Sequence, residues 1–194
     1  MASEIIVQTI KGPTSGANAN KVIIPSGQTL DASAGFVPPA GSILQVKQAF
    51  KTDAGTGATS SFADISGLFV TITPKSASSK FLIMFNIGIT TYDLTAQIRL
   101  LRDTTAIGIG DASSSRTRTT AGQMNPDTDQ NHQAPKMSGV YIDSPNTTSA
   151  ITYRPQFKVQ DGSTAYINRS GNDADNSNWS HRQTSDFTVM EIAG

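Results

Sequence analysis

The residues able to do chemistry are few and scattered. His132 and His181 are the only two histidines, 49 positions apart. A zinc site built on them needs two more nitrogen or sulfur ligands, and the chain has no cysteine. Asp127 with Asp129, and Asp173 with Asp175, set carboxylates two apart as calcium loops do. Neither run has the glycine and distal glutamate of the hand-type loop, so solvated loop acids are expected, with a calcium ion on an oligomer axis left open. No G-x-S-x-G or G-x-x-x-x-G-K-[ST] motif is present. Gly108-Ile109-Gly110-Asp111 resembles a phosphate loop in part, but it lacks the third glycine and the helix that should follow. The reading is therefore a non-enzymatic protein, with no cofactor and no resident metal.

Binding residues are better represented. Arg116 and Arg118 would point the same way from an extended segment and could grip a phosphate or a sugar acid. Trp179 has Asn178 before it and His181 and Arg182 shortly after. Its ring either stacks on a sugar, with amides and a guanidinium at hand for the hydroxyls, or folds back to plug the end of the fold. Two polar loops thus become the candidate ligand-contact regions. One runs over 116–132 and contains Arg116, Arg118, Asn131 and His132; the other runs over 172–182 and contains Asn172, Asp173, Trp179, His181 and Arg182.

Strands must position these loops. Phe81, Ile83, Phe85, Ile87 and Ile89 share one face of an extended segment, and Leu82, Met84, Asn86, Gly88 and Thr90 share the other. A period of two, with apolar residues on both sides, predicts a strand covered on one face by a core and on the other by something else. Leu82, Met84 and Asn86 are the candidate oligomer-interface residues on that second face. A partner subunit would supply the cover. Leu68, Val70 and Ile72 also alternate before a polar connection at 74–79, which predicts a hairpin with the 81–89 strand.

Further strands are expected at 42–50, 96–102, 106–111, 137–142, 150–159 and 166–167, with no helix longer than two turns. The last, at 186–192, is expected in the middle of a sheet. Pro155 inside 150–159 predicts an edge or a bulge. The stretch 112–136 reads as the longest loop. Residues 1–40 hold short apolar runs at 5–10 and 21–25 and a Pro/Gly-rich junction, too little for a core of their own. They read as an anchoring arm and linker ahead of a 41–194 β-sandwich domain.

Composition agrees with an all-β chain. Serine and threonine together supply 45 residues, which suits strands and turns better than helices. Lys plus Arg equals Asp plus Glu at 15 each, so no basic field draws in nucleic acid. The longest apolar run, 81–85, is far short of the ~20 residues of a membrane helix, so membrane insertion is not expected.

Several segments resemble small virion proteins and fibre tips of tailed bacteriophages, especially those of marine cyanobacteria. They are IPSGQTLDASAG (24–35), GSILQVKQAF (41–50), TITPKSASSKFLI (71–83), IRLLRDTTAIGIGD (98–111), DSPNTTSAITY (143–153) and FTVMEIAG (187–194). That family is similar to jelly-roll trimers of the tumour-necrosis-factor type, two-sheet sandwiches set around a three-fold axis. The resemblance implies a homotrimeric, virion-located tail-fibre or appendage protein. It would contact other virion proteins through the arm and a host-surface glycan through its loops. A capsid decoration (cement or head-fibre) protein is the alternative. The two polar loops are the least family-like parts, so the resemblance is silent on the ligand.

Overall fold

A computed structural model of the chain describes residues 10–29, 35, 37–91, 95–124, 134–160, 163–178 and 180–194. The chain divides into two compact units, Met1–Val37 and Pro38–Gly194.

In the first unit, residues 13–20 close a turn in which Asn20 N–H donates to Pro13 O at 2.7 Å. The 21–25 run, expected as a strand, pairs with nothing among the described residues. Val22, Ile23 and Ile24 stay largely exposed. The other expected strand, at 5–10, lies outside the described residues except for Ile10.

Among the described residues, the regular structure of the second unit is all strand. In chain order these are β1 (Ile43–Lys51), β2 (Gly55–Gly57), β3 (Ala63–Asp64), β4 (Val70–Ile72), β5 (Lys80–Thr91) and β6 (Thr95–Arg102). Then come β7 (Thr105–Ile107), β8 (Ala121–Met124), β9 (Lys136–Asp143), β10 (Ile151–Val159), β11 (Ala165–Ile167) and β12 (Ser185–Ile192). Every pairing between them is antiparallel.

Four pairs of strands are interrupted halves of single positions: β1 with β2, β3 with β4, β7 with β8, and β11 with β12. Each half of a pair meets a different stretch of the same neighbouring position. Counted this way there are eight positions, ordered 1-8-3-6 in one sheet and 2-7-4-5 in the other. That is the double Greek key of a jelly roll, so the protein is an all-β jelly-roll sandwich.

The core lies between the sheets. Phe81, Ile83, Phe85, Ile87 and Ile89 of β5 are sealed from solvent together with Phe187 and Val189 of β12, and they meet Ile98, Leu100, Ile151 and Tyr153 from the other sheet. The Phe81 and Tyr153 rings lie 5.7 Å apart. One charged group crosses the interior. Asp143 of β9 accepts hydrogen bonds from both Arg102 Nη1 (2.9 and 3.0 Å) and Tyr153 Oη (2.6 Å), which ties the two sheets at one end. Burial, reinforced by the Asp143 carboxylate, pushes the Tyr153 hydroxyl well above its usual range, so it remains a donor.

Three expectations are corrected here. The segments around 68–73 and 81–89 do not form a hairpin: β4 pairs with β10 and β5 with β12, β11 and β9, so the 74–79 connection crosses from one sheet to the other. Pro155 is not on an edge. It sits in β10 opposite Leu100, with β6 on one side and the β3/β4 position on the other. On that other side the ladder passes from β4 to β3, and Pro155 O accepts from Ile65 N–H in the turn between them. The missing proline donor thus falls where no strand asks for it. Finally, the loop expected at 112–136 contains a strand, β8, while the strand expected at 106–111 ends at Ile107. As expected, β12 is central, between β1 and β5.

Candidate functional site

The two outer faces of the sandwich have opposite chemistry. On the first sheet the cross-strand register puts Val46, Met190, Leu82 and Ile142 in one rung across all four positions. The next rung is Gln48, Thr188, Met84 and Val140, and the one after it Phe50, Asp186, Asn86 and Ser138. Val46, Val140 and Ile142 are each more than half exposed, and so are Ile43 and Phe50 on β1. Leu82, Met84 and Asn86 are half-buried on this face. All three candidate interface residues therefore point away from the core, as the period of two requires.

The sequence did not expose how far the patch spreads, because Val46, Val140, Ile142 and Met190 come next to Leu82 and Met84 only through strand register. The alternation of Val140 and Ile142 with buried Met137 and Asp143 was the one available hint. Lys80 and Lys136 set charges at the two ends, and Asp186 sets one in the third rung, between Phe50 and Asn86.

The second sheet shows a bonded polar face instead. Arg99 Nε donates to Gln156 Oε1 at 2.9 Å, and Gln156 Nε2 donates to Asp64 Oδ1 at 2.7 Å. The Arg99 guanidinium also lies 4.2 Å from the centre of the Phe62 ring. Thr71 and Thr152 hydroxyls pair at 2.9 Å.

Residues 168–184 bud out of the last strand position between β11 and β12, and one buried residue makes this possible. Asn168, with no solvent exposure and φ of 58°, donates from Nδ2 to Lys51 O and Asp53 O, both at 3.0 Å, where the β1/β2 position is itself interrupted. Its Oδ1 accepts from Ser185 Oγ at 2.6 Å, and that oxygen accepts from Gly88 N–H at 2.9 Å. Both ends of the excursion are thereby fixed to the sheet. Gln183 crosses back over Gly88, where a Cβ would come within 2.6 Å of its amide, and donates to Ala134 O at 3.0 Å.

Within the excursion, Asp173, His181 and Arg182 line one cleft of ≈ 380 Å³ with Asn176 and Ser177. Asn172 is not on its wall, but its carbonyl accepts from Ser170 Oγ and from Ser180 Oγ, which is. Asp173 holds both Arg182 and, at 3.3 Å, Arg169, which in turn lies 4.7 Å from the centre of the Tyr166 ring. The Arg182 guanidinium is thus committed to Asp173. Trp179, Asn131 and His132 lie outside the described residues.

Arg116 and Arg118 are both exposed. Arg116 Nη1 donates to Ser113 Oγ at 3.1 Å and Arg118 Nε to Gly110 O at 2.6 Å, so each guanidinium folds onto its own loop. A turn at Ser113–Arg116, with Ser114 at φ 49°, precedes the two. Among the described residues no group of three or more His, Cys, Asp or Glu side chains gathers as metal ligands do, and no helix is long and apolar enough to cross a membrane.

Searched by sequence, the chain matches no protein-family profile and no curated protein. Among solved structures it is similar to the protein of T=1 particles derived from infectious bursal virus, with TM-score 0.42 and 10% identity over 92% of this chain and 42% of that one. It is also similar to the VP2 subviral particle of infectious bursal disease virus, with TM-score 0.40 and 10% identity over 93% of this chain and 49% of that one. The chain spans less than half the length of either.

Proposed function

We propose that this jelly roll is a non-enzymatic structural protein of a virion, working as a homotrimeric tail-fibre or similar appendage that contacts the host surface. The observation that carries the reading is the apolar outer face of the first sheet. Four strand positions at about 4.8 Å, over roughly 20 Å of strand length, make a footprint of about 400 Å². That is about half of the ~800 Å² each partner gives to a standard interface and within the ~300–600 Å² of the largest apolar patch on an ordinary monomer, so the reading rests on the contiguity of Val46, Met190, Leu82, Ile142, Met84 and Val140 across four strand positions rather than on area. The opposite face is charged and internally bonded, which suits it to water. A sandwich with one apolar and one polar face fits three copies turned face-inward about an axis, the arrangement that the resemblance to tumour-necrosis-factor-type trimers implies. The arm, with Ile10, Val22, Ile23 and Ile24 exposed, is the segment proposed to attach the trimer to its particle.

Sedimentation of the purified chain tests the assembly: a trimer is expected, and a monomer at all concentrations refutes it. Leu82→Arg or Met84→Arg would place an unpaired charge in the contact and shift the protein to folded monomer. Copy number per particle then separates the two virion roles. A few tens of chains or fewer fit a fibre, and hundreds fit capsid decoration.

A further inference from the structure

On the polar face of the second sheet a cleft of ≈ 410 Å³ opens between the 64–69 turn and β10. The turn is closed by Leu68 N–H donating to Ile65 O at 3.0 Å, and Gly67 takes the left-handed conformation (φ 80°) that the reversal requires. Phe69 follows it and stands 57% exposed on the cleft wall. An aromatic ring left in water at a concave site is an unused stacking surface.

Beside it, Arg154 and Asp64 lie side by side. Arg154 Nε is 3.2 Å from Asp64 Oδ1, yet its N–H, shut off from solvent, finds no hydrogen-bond acceptor among the described residues. Asp64 Oδ1 is already taken by Gln156, while Oδ2 carries no hydrogen bond among the described residues. The cleft is therefore lined by an acceptor oxygen, the guanidinium of Arg154, the paired hydroxyls of Thr71 and Thr152, and the Phe69 ring.

We propose that this cleft binds a neutral pyranose sugar. A pyranose presents an apolar C–H face for Phe69 and, at right angles to it, adjacent hydroxyls that each donate and accept. Neighbouring hydroxyls match an adjacent acceptor and donor, here Asp64 and Arg154. An acidic sugar is disfavoured because its carboxylate would face Asp64. The site lies on the face opposite the apolar one, so a trimer leaves it open.

The test uses the full-length chain in saturation-transfer NMR and calorimetric titration. The probes are methyl α-mannopyranoside, methyl α-glucopyranoside and methyl β-galactopyranoside, with N-acetylneuraminic acid as the acidic comparator. At least one neutral glycoside is expected to bind with a dissociation constant on the order of millimolar. Phe69→Ala, at an exposed position that leaves the core intact, should weaken it about three- to tenfold. Arg154→Lys, which keeps the charge but loses the planar fork, should also weaken it. No binding by any of the three, binding by the acidic sugar alone, or wild-type affinity in both variants would each overturn the assignment. The measurement does not depend on oligomeric state or on a particle, so its failure leaves the trimer result standing, and the converse holds.

Discussion

Asn168→Ala is expected to be among the most damaging single changes outside the apolar core, although it removes only a small polar side chain. Three hydrogen bonds go: two donated to Lys51 O and Asp53 O, and one accepted from Ser185 Oγ. At a net ~1 kcal/mol each they amount to about 3 kcal/mol, and the buried carbonyl of Lys51 and the Ser185 hydroxyl then stand unpaired, which moves the figure upward rather than down. Alanine must also adopt φ of 58°, at about 1 kcal/mol. The sum is about 4 kcal/mol, a large share of the 5–15 kcal/mol that holds a typical domain. Asn168→Gly separates the two contributions, since glycine relieves the backbone strain but restores no hydrogen bond. It should recover about 1 kcal/mol of the loss. Urea unfolding of wild type and both variants, followed by tryptophan fluorescence and far-UV circular dichroism, gives the comparison. The structure has the 168–184 excursion hanging on this node, so amide exchange in residues 169–184 should rise in both variants before global unfolding. A loss below 1 kcal/mol in Asn168→Ala would show that the node does not support the excursion, and the reasoning would fail.

Glu191 predicts a pH dependence. Burial alone would push its carboxyl up, but hydrogen bonds from the Gln45 side chain and from the N–H groups of Lys75 and Ser76 outweigh this and hold it below its ordinary 4.5. A carboxyl lowered on folding adds stability that is fully present above the unfolded value and is lost as pH falls through the folded one. Glu191→Gln should therefore be less stable than wild type by about 2 kcal/mol at pH 7. The gap should close below pH 4.5; equal stability across the range in denaturant titrations would contradict this. Asp143→Ala leaves Arg102 and Tyr153 without their shared acceptor and should cost about 3 kcal/mol, the low end for a broken buried pair because Arg102 is partly exposed. Tyr153→Phe, which removes one hydroxyl donor and leaves the ion pair, should cost about 1 kcal/mol. Reversal of that order in chemical denaturation would show that the Arg102 pair contributes little.

Much of the architecture follows from local alternation. The strands β1, β5, β6, β9, β10 and β12, the core-facing set Phe81 to Ile89 and the outward set Leu82, Met84 and Asn86 can all be read from a period of two, because side-chain direction in a strand depends only on parity. The polar stretch 168–181 is legible as a loop for a similar reason, having too few apolar residues to pair. Partner choice is not local. The polar link at 74–79 is the same whether it closes a hairpin or crosses between sheets, and only the packing of the two sheets selects the crossing. Pro155 looks like an edge residue until the β3/β4 interruption beside it supplies a place with no ladder to break. Val46, Met190, Leu82 and Ile142 are spread over nearly 150 positions of sequence, yet they form one rung because register in a sheet is set by long-range pairing. Arg116, Arg118 and Arg182 advertise charge in the sequence, but contacts within their own loops give each a partner that spacing alone does not name. Phe69, Asp64 and Arg154 carry no motif, and they become a cleft only when β4 and β10 lie side by side.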